Sequence, residues 1–127
     1  MKTILLFGAG KSATVLIDYL VNLGATGKYK IIIADANKDQ VLLKTNNSPF
    51  AEAVDIDIKN EAQRSGLIKT ASIVISLMPP ALHFLVAKDC VTFGKNLLTA
   101  SYIDENIKSL QKDIEERKAG RKGIDLS

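Results

Sequence analysis

The chain has 127 residues, 46% of them hydrophobic, which suits one globular domain that buries about two thirds of the surface its unfolded form exposes. Its net charge of +3 arises in residues 117–127, where Arg117, Lys118, Arg121 and Lys122 face only Asp125. The remainder balances to zero and has no basic stripe with interleaved aromatics, so nucleic acid is excluded as a partner. One cysteine, Cys90, and one histidine, His83, leave no internal disulfide and no multi-histidine metal centre, and no metal is expected. With neither a signal-type leader nor a run of about 18 apolar residues, no membrane partner is expected and the expected location is cytoplasmic.

In chain order, Lys2-Thr3-Ile4-Leu5-Leu6-Phe7 is an apolar run of the kind found in parallel strands buried on both faces. It leads into Gly8-Ala9-Gly10-Lys11-Ser12-Ala13, after which Leu16, Leu20 and Leu23 take helical spacing. A glycine turn between a strand and a helix is built to hold a pyrophosphate. Gly8 allows the tight turn, Gly10 lets backbone approach the phosphates, and Ala13 lets the helix pack on the strand. The helix start adds N–H donors and the positive end of its dipole. A second strand, Lys30-Ile31-Ile32-Ile33-Ala34, ends at Asp35, twenty-two residues past Ala13. A strand-terminal acid at that distance accepts hydrogen bonds from a ribose hydroxyl, with Ala36 beside it. Gly10-Lys11-Ser12 also resembles the end of a triphosphate-binding loop, but that motif needs a glycine where the chain has Leu5.

Beyond Asp35 a polar helix is expected near Lys38–Lys44, a loop at Asn46-Asn47-Ser48-Pro49, a third strand at Ala51–Asp57 and a helix from Asn60 to Lys69. Ala71–Leu77 reads as a buried fourth strand. Pro79-Pro80 opens the next helix, because proline costs nothing where the N–H lacks a partner. That helix carries Leu82, Leu85 and Val86 on one face and stops at Gly94. A fifth strand follows at Lys95–Ala100, then a helix capped by Asp104 with Ile107, Leu110 and Ile114 on its buried face. Cys90 lies in an apolar helical stretch and is expected to pack rather than react. Strands alternating with helices imply an α/β protein with a Rossmann-like, doubly wound parallel sheet of about five strands in the order 3-2-1-4-5. Its ligand would lie at the carboxyl ends of the strands, where the order reverses.

Four segments resemble the nucleotide-binding domain of the saccharopine dehydrogenase family: Leu6-Phe7-Gly8-Ala9-Gly10; Asp57-Ile58-Lys59-Asn60; Val74-Ile75-Ser76-Leu77-Met78-Pro79 with His83; and Thr99-Ala100-Ser101-Tyr102. The resemblance spans residues 2–118. It implies an oxidoreductase that passes hydride between NAD(P) and the CH–NH group of an amino acid. It places Gly8, Ala9, Gly10, Lys11 and Ser12 at the pyrophosphate, and Asp35 and Ala36 at the adenosine ribose. Asp57 and Ile58 fall at the adenine, and Ser76, Leu77, Met78 and Pro79 near the nicotinamide side. Ser101 and Tyr102 would face the substrate cleft; no catalytic residue is assigned. Asp57 has a plainer reading as the cap of the next helix, and Ser76 as a partner for strand-end backbone.

Asp35 favours NAD over a 2′-phosphorylated cofactor, with NADP as the alternative that Lys38 could support. Residues 1–118 are expected to form the NAD(P)-binding domain. Residues 119–127 would be a tail left by truncation or of foreign origin, because the family continues into a substrate domain whose pattern is absent here. The amino-acid substrate would then be met through that missing domain, the isolated chain would not turn over, and the uncovered sheet leaves room for a homo-oligomer. The rival reading is a non-catalytic, NAD-sensing regulatory module.

Overall fold

The computed structural model describes residues 1–10 and 13–99. Within them β1 (Lys2–Phe7), α1 (Thr14–Ala25), β2 (Tyr29–Asp35), α2 (Lys38–Thr45), β3 (Glu52–Asp55), α3 (Glu61–Thr70), β4 (Ile73–Ser76), α4 (Pro80–Thr92) and β5 (Asn96–Thr99) alternate along the chain. The strands form one parallel sheet in the order β3-β2-β1-β4-β5. The expected fold class and strand order are those observed. Strands β3 and β4 are each shorter than expected, at four residues, and β5 is described from Asn96 to Thr99. Hydropathy extends through the residues flanking a ladder, whereas backbone pairing ends where the loops turn away. The helix expected after Asp104 lies outside the described residues.

Central β1 is buried on both faces, and its side chains divide by parity. Ile4 and Leu6 join Ile31, Ile33 and Ile75 under Leu16, Ile17 and Leu20 of α1 and Val41 of α2. Leu5 and Phe7 join Ile32, Ala34 and Val74 against Ile68 of α3 and Val86 and Cys90 of α4. Two cores thus sandwich one sheet, as right-handed crossovers on opposite sides of the switch between β1 and β4 require. On α1 the fully buried stripe is Leu16, Ile17, Leu20 and Gly24, while Leu23 is only partly covered. Gly24 is there because the chain leading into β3 crosses the helix: a Cβ at this position would stand 2.4 Å from the Phe50 carbonyl oxygen.

The α3–α4 side holds a buried ion pair that periodicity could not show. Arg64 Nε donates to Asp89 Oδ2 at 2.7 Å, with both side chains about 95% buried. Ser65 Oγ donates to the same oxygen at 3.0 Å, and Arg64 Nη1 donates to the Ile58 carbonyl at 2.7 Å. Removing one partner would leave a buried charge uncompensated, a cost of roughly 3–5 kcal/mol. Cys90 packs beside this pair. Burial, and secondarily the Asp89 charge, push its thiol up to about 11. It therefore stays a neutral packing group. Helix α4 ends as its glycine suggests: Gly94 takes φ +65°, and Lys95 N–H donates to the Cys90 carbonyl at 2.8 Å. Among the described residues no helix is long and apolar enough to cross a membrane, and no group of three potential metal ligands occurs.

Candidate functional site

The register of the central strands lines up their carboxyl ends. Phe7 stands opposite Ala34 on one side and Ser76 on the other, so the next residues of all three strands meet at one level. Gly8 N–H donates to the Ala34 carbonyl at 2.9 Å, and Leu77 N–H donates to the Phe7 carbonyl at 3.0 Å. Gly8 then turns with φ +103°, and a Cβ on it would meet Met78 Sδ at 3.3 Å. The positive φ is what favours glycine here, and Met78 would have only to shift slightly. Gly10 differs: among the described residues an added Cβ would meet nothing within 4 Å. With respect to the described residues it is uncrowded, which suits the close approach of a pyrophosphate to the backbone. Ala13 is completely buried, so α1 starts tight against the sheet.

The helix starts divide into two kinds. At α2 the Asn37 side chain accepts from Gln40 N–H and Asp39 lies in the first turn; at α3 Asn60 accepts from Gln63 N–H and Glu61 lies in the first turn. At α1 and α4, which follow the two strands flanking the switch point, the N-cap residues are Ala13 and Pro79. Neither gives a side-chain cap, and neither helix has an acid in its first turn. The two uncapped helix starts therefore face the crevice. At α4 Pro79 and Pro80 carry no N–H and Leu82 N–H donates to the Pro79 carbonyl at 3.0 Å, so it is the positive end of the helix dipole, unopposed by an early acid, that favours an anionic ligand at these starts.

Asp35 is tied into this turn. Its Oδ1 accepts from Ala9 N–H at 3.1 Å and its Oδ2 accepts from Asn37 N–H at 3.0 Å, so the carboxylate links the glycine turn to the end of β2. Each oxygen keeps further acceptor capacity for a ribose hydroxyl. From α2 the Lys44 ammonium reaches the same turn, donating to the Gly10 carbonyl and, at 3.1 Å, to Thr14 Oγ1. Ser76 is buried and its Oγ accepts from Met78 N–H at 3.4 Å, fixing the bend that brings Met78 onto Gly8.

The crevice brings together Gly8, Ala9, Gly10, Asp35, Ala36, Ser76, Leu77, Met78 and Pro79. Asp57 sits after β3, where its Oδ1 accepts from Lys59 N–H at 3.0 Å and closes a turn. The helix cap suggested for Asp57 belongs instead to Asn60, whose shorter path to the Gln63 N–H matches N-cap geometry. Ile58 has its side chain in the core beside Ile56 and its carbonyl held by Arg64. Asp57 is exposed. Lys11, Ser12, Ser101 and Tyr102 lie outside the described residues. Sequence reasoning missed Lys44 and Arg64. Lys44 looks like the polar end of a solvated helix, and only the packing of α2 on α1 brings it to the turn; Arg64 needed a partner 25 residues away.

A glycine turn, a strand-terminal acid and uncapped helix starts at the switch point of a 3-2-1-4-5 sheet define a dinucleotide-binding domain of Rossmann type. A family model described as saccharopine dehydrogenase NADP binding domain matches residues 4–123, and the chain belongs to that family. The mitochondrial alpha-aminoadipic semialdehyde synthase of Bos taurus is 34% identical over 118 residues, spanning 91% of this chain and 12% of that protein. The NADP(+)-dependent, L-glutamate-forming saccharopine dehydrogenase of Schizosaccharomyces pombe is 27% identical over 111 residues, spanning 87% of this chain and 24% of its own length. The chain thus spans between about an eighth and a quarter of these relatives. The solved apo saccharopine dehydrogenase (L-Glu forming) of Saccharomyces cerevisiae shares the fold, with a TM-score of 0.68 at 23% identity over 78% of this chain and 21% of that one.

Proposed function

We propose that this chain is the cofactor-holding part of an NADP-dependent oxidoreductase of saccharopine dehydrogenase type, acting on the CH–NH group of an amino acid. The observation that carries the reading is the open Gly10 turn at the uncapped start of α1, locked to Asp35 through Ala9, in a chain of this family. Gly8, Ala9 and Gly10 would approach the pyrophosphate, Asp35 and Ala36 the adenosine ribose, and Ser76 to Pro79 the nicotinamide side. The bound cofactor supplies the hydride acceptor. This chain's residues position it and keep water from the sheet end. Substrate contacts would come from a second domain, in keeping with relatives several times longer than this chain. The regulatory alternative finds no support in relatives named as enzymes.

The choice of NADP departs from the preference that Asp35 suggests on its own. A carboxylate facing a ribose repels a 2′-phosphate when its charge is free. Here both oxygens accept backbone N–H bonds, which disperse that charge. The family is one of NADP binding domains. Calorimetric titration of the purified chain with NADPH and with NADH tests the reading. The expected result is binding of both, tighter for NADPH, without cofactor reduction when saccharopine and NADP are supplied. Binding of neither nucleotide would overturn the function, and tighter binding of NADH would overturn the cofactor choice alone.

A further inference from the structure

The geometry points to Lys44 as the cation that reads the 2′-phosphate and so sets cofactor specificity, an inference that rests on the NADP reading above. The loop after β2, where a phosphate-binding cation commonly sits, is Ala36-Asn37 and contains none. A 2′-phosphate on the adenosine ribose would enter beside Asp35, on the side of the sheet where α1 and α2 pack. That side is where Lys44 arrives. Its ammonium leaves the last turn of α2 and bridges the Gly10 carbonyl to Thr14 Oγ1. Gly10 directly follows Ala9, whose N–H holds the Asp35 carboxylate, so cation and carboxylate flank the turn one residue apart.

An ammonium has three N–H donors. Two are engaged with neutral oxygens, and among the described residues no carboxylate pairs with Lys44. Its charge is therefore not neutralised by an acid of the described chain. The two bonds fix a long, flexible side chain at the turn before ligand arrives, which lowers the ordering cost of a charge-assisted bond to phosphate. Lys38 is different: it lies at the exposed first position of α2, with no hydrogen bond to fix it among the described residues.

The test measures the affinities of wild type, Lys44→Met, Lys44→Arg and Lys38→Met for NADPH and NADH, and for 2′,5′-ADP against 5′-ADP as probes of the phosphate alone. In Lys44→Met, binding of NADPH and 2′,5′-ADP should weaken about tenfold or more while NADH and 5′-ADP change little, and Lys44→Arg should restore most of the difference. A merely structural staple would weaken both members of each pair equally, and that result overturns the inference. A Lys38→Met variant that loses the discrimination while Lys44→Met keeps it also overturns it. If wild type itself fails to prefer NADPH, the NADP reading falls, which is distinguishable because it appears before any substitution.

Discussion

Helices α1 and α4 begin without a side-chain cap or an early acid, whereas α2 and α3 begin with both. All four helices start at the same end of the same sheet, so the difference does not arise from topology alone. It follows the switch point: the strands before α1 and α4, β1 and β4, are neighbours across which the order reverses. A capped helix satisfies its own first donors and needs nothing from outside. One without a cap or an early acid presents the positive end of its dipole to an anion and gives up some stability of its own. The site lies where the helix starts carry neither a side-chain cap nor an acid. Helix α3 shows the opposite strategy in full, since Gln63 also accepts from Asp57 N–H at 3.1 Å and its start is closed by its own side chains.

The largest expected effect of breaking this contrast comes from Gly10→Val. Among the described residues the new Cβ meets nothing within 4 Å, so the unfolding midpoint should move little. The same space is needed by the pyrophosphate, so NADPH affinity should fall by at least about 100-fold. Calorimetry for binding and thermal unfolding for the fold separate the two. A fall in stability with binding retained would show that the open space at Gly10 serves packing and not a ligand.

Next in size is Asn60→Ala, which removes a cap from a helix that opens away from the switch point. It should cost about 1 kcal/mol of unfolding free energy, read from urea midpoints, and leave nucleotide affinity unchanged. A variant that also loses NADPH binding several-fold would show that the α3 start belongs to the site, in keeping with an adenine contact through Asp57.

Much of this contrast was legible in the sequence. Gly8, Ala13, Asp35 and Pro79-Pro80 each carry a local physical requirement, whether a positive φ, a close helix, a strand-end acceptor or a missing N–H. The strand order followed from alternation and handedness alone. What could not be read were contacts that depend on how two elements pack. The Phe50 carbonyl over Gly24, Arg64 on Asp89 and Lys44 on Gly10 all join residues more than twenty positions apart. No period or motif records such pairings. Cap assignment failed for a subtler reason: Asp57 and Asn60 are both good capping residues, and only the backbone decides that Asn60 holds the N-cap position while Asp57 closes the preceding turn.

The smallest effect sharpens the contrast most, because it should move stability and binding in opposite directions. Val15 lies in the first turn of α1 with 52% of its surface exposed, so Val15→Glu removes little packing. The new carboxylate meets the positive end of the helix dipole and should stabilise the free protein by about 0.3–1 kcal/mol. Glutamate also has a higher helix propensity than the β-branched valine, which adds in the same sense. For a dinucleotide the same charge is a competitor: it occupies the field meant for the pyrophosphate and repels it, so NADPH affinity should fall a few-fold. Salt screens both interactions, so the two changes should shrink together as potassium chloride rises from low to physiological strength. Thermal unfolding and calorimetry across that salt series measure them side by side. A gain in stability with unchanged affinity would place the pyrophosphate away from α1. A loss of both would mean that Val15 is packed more closely than its exposure indicates.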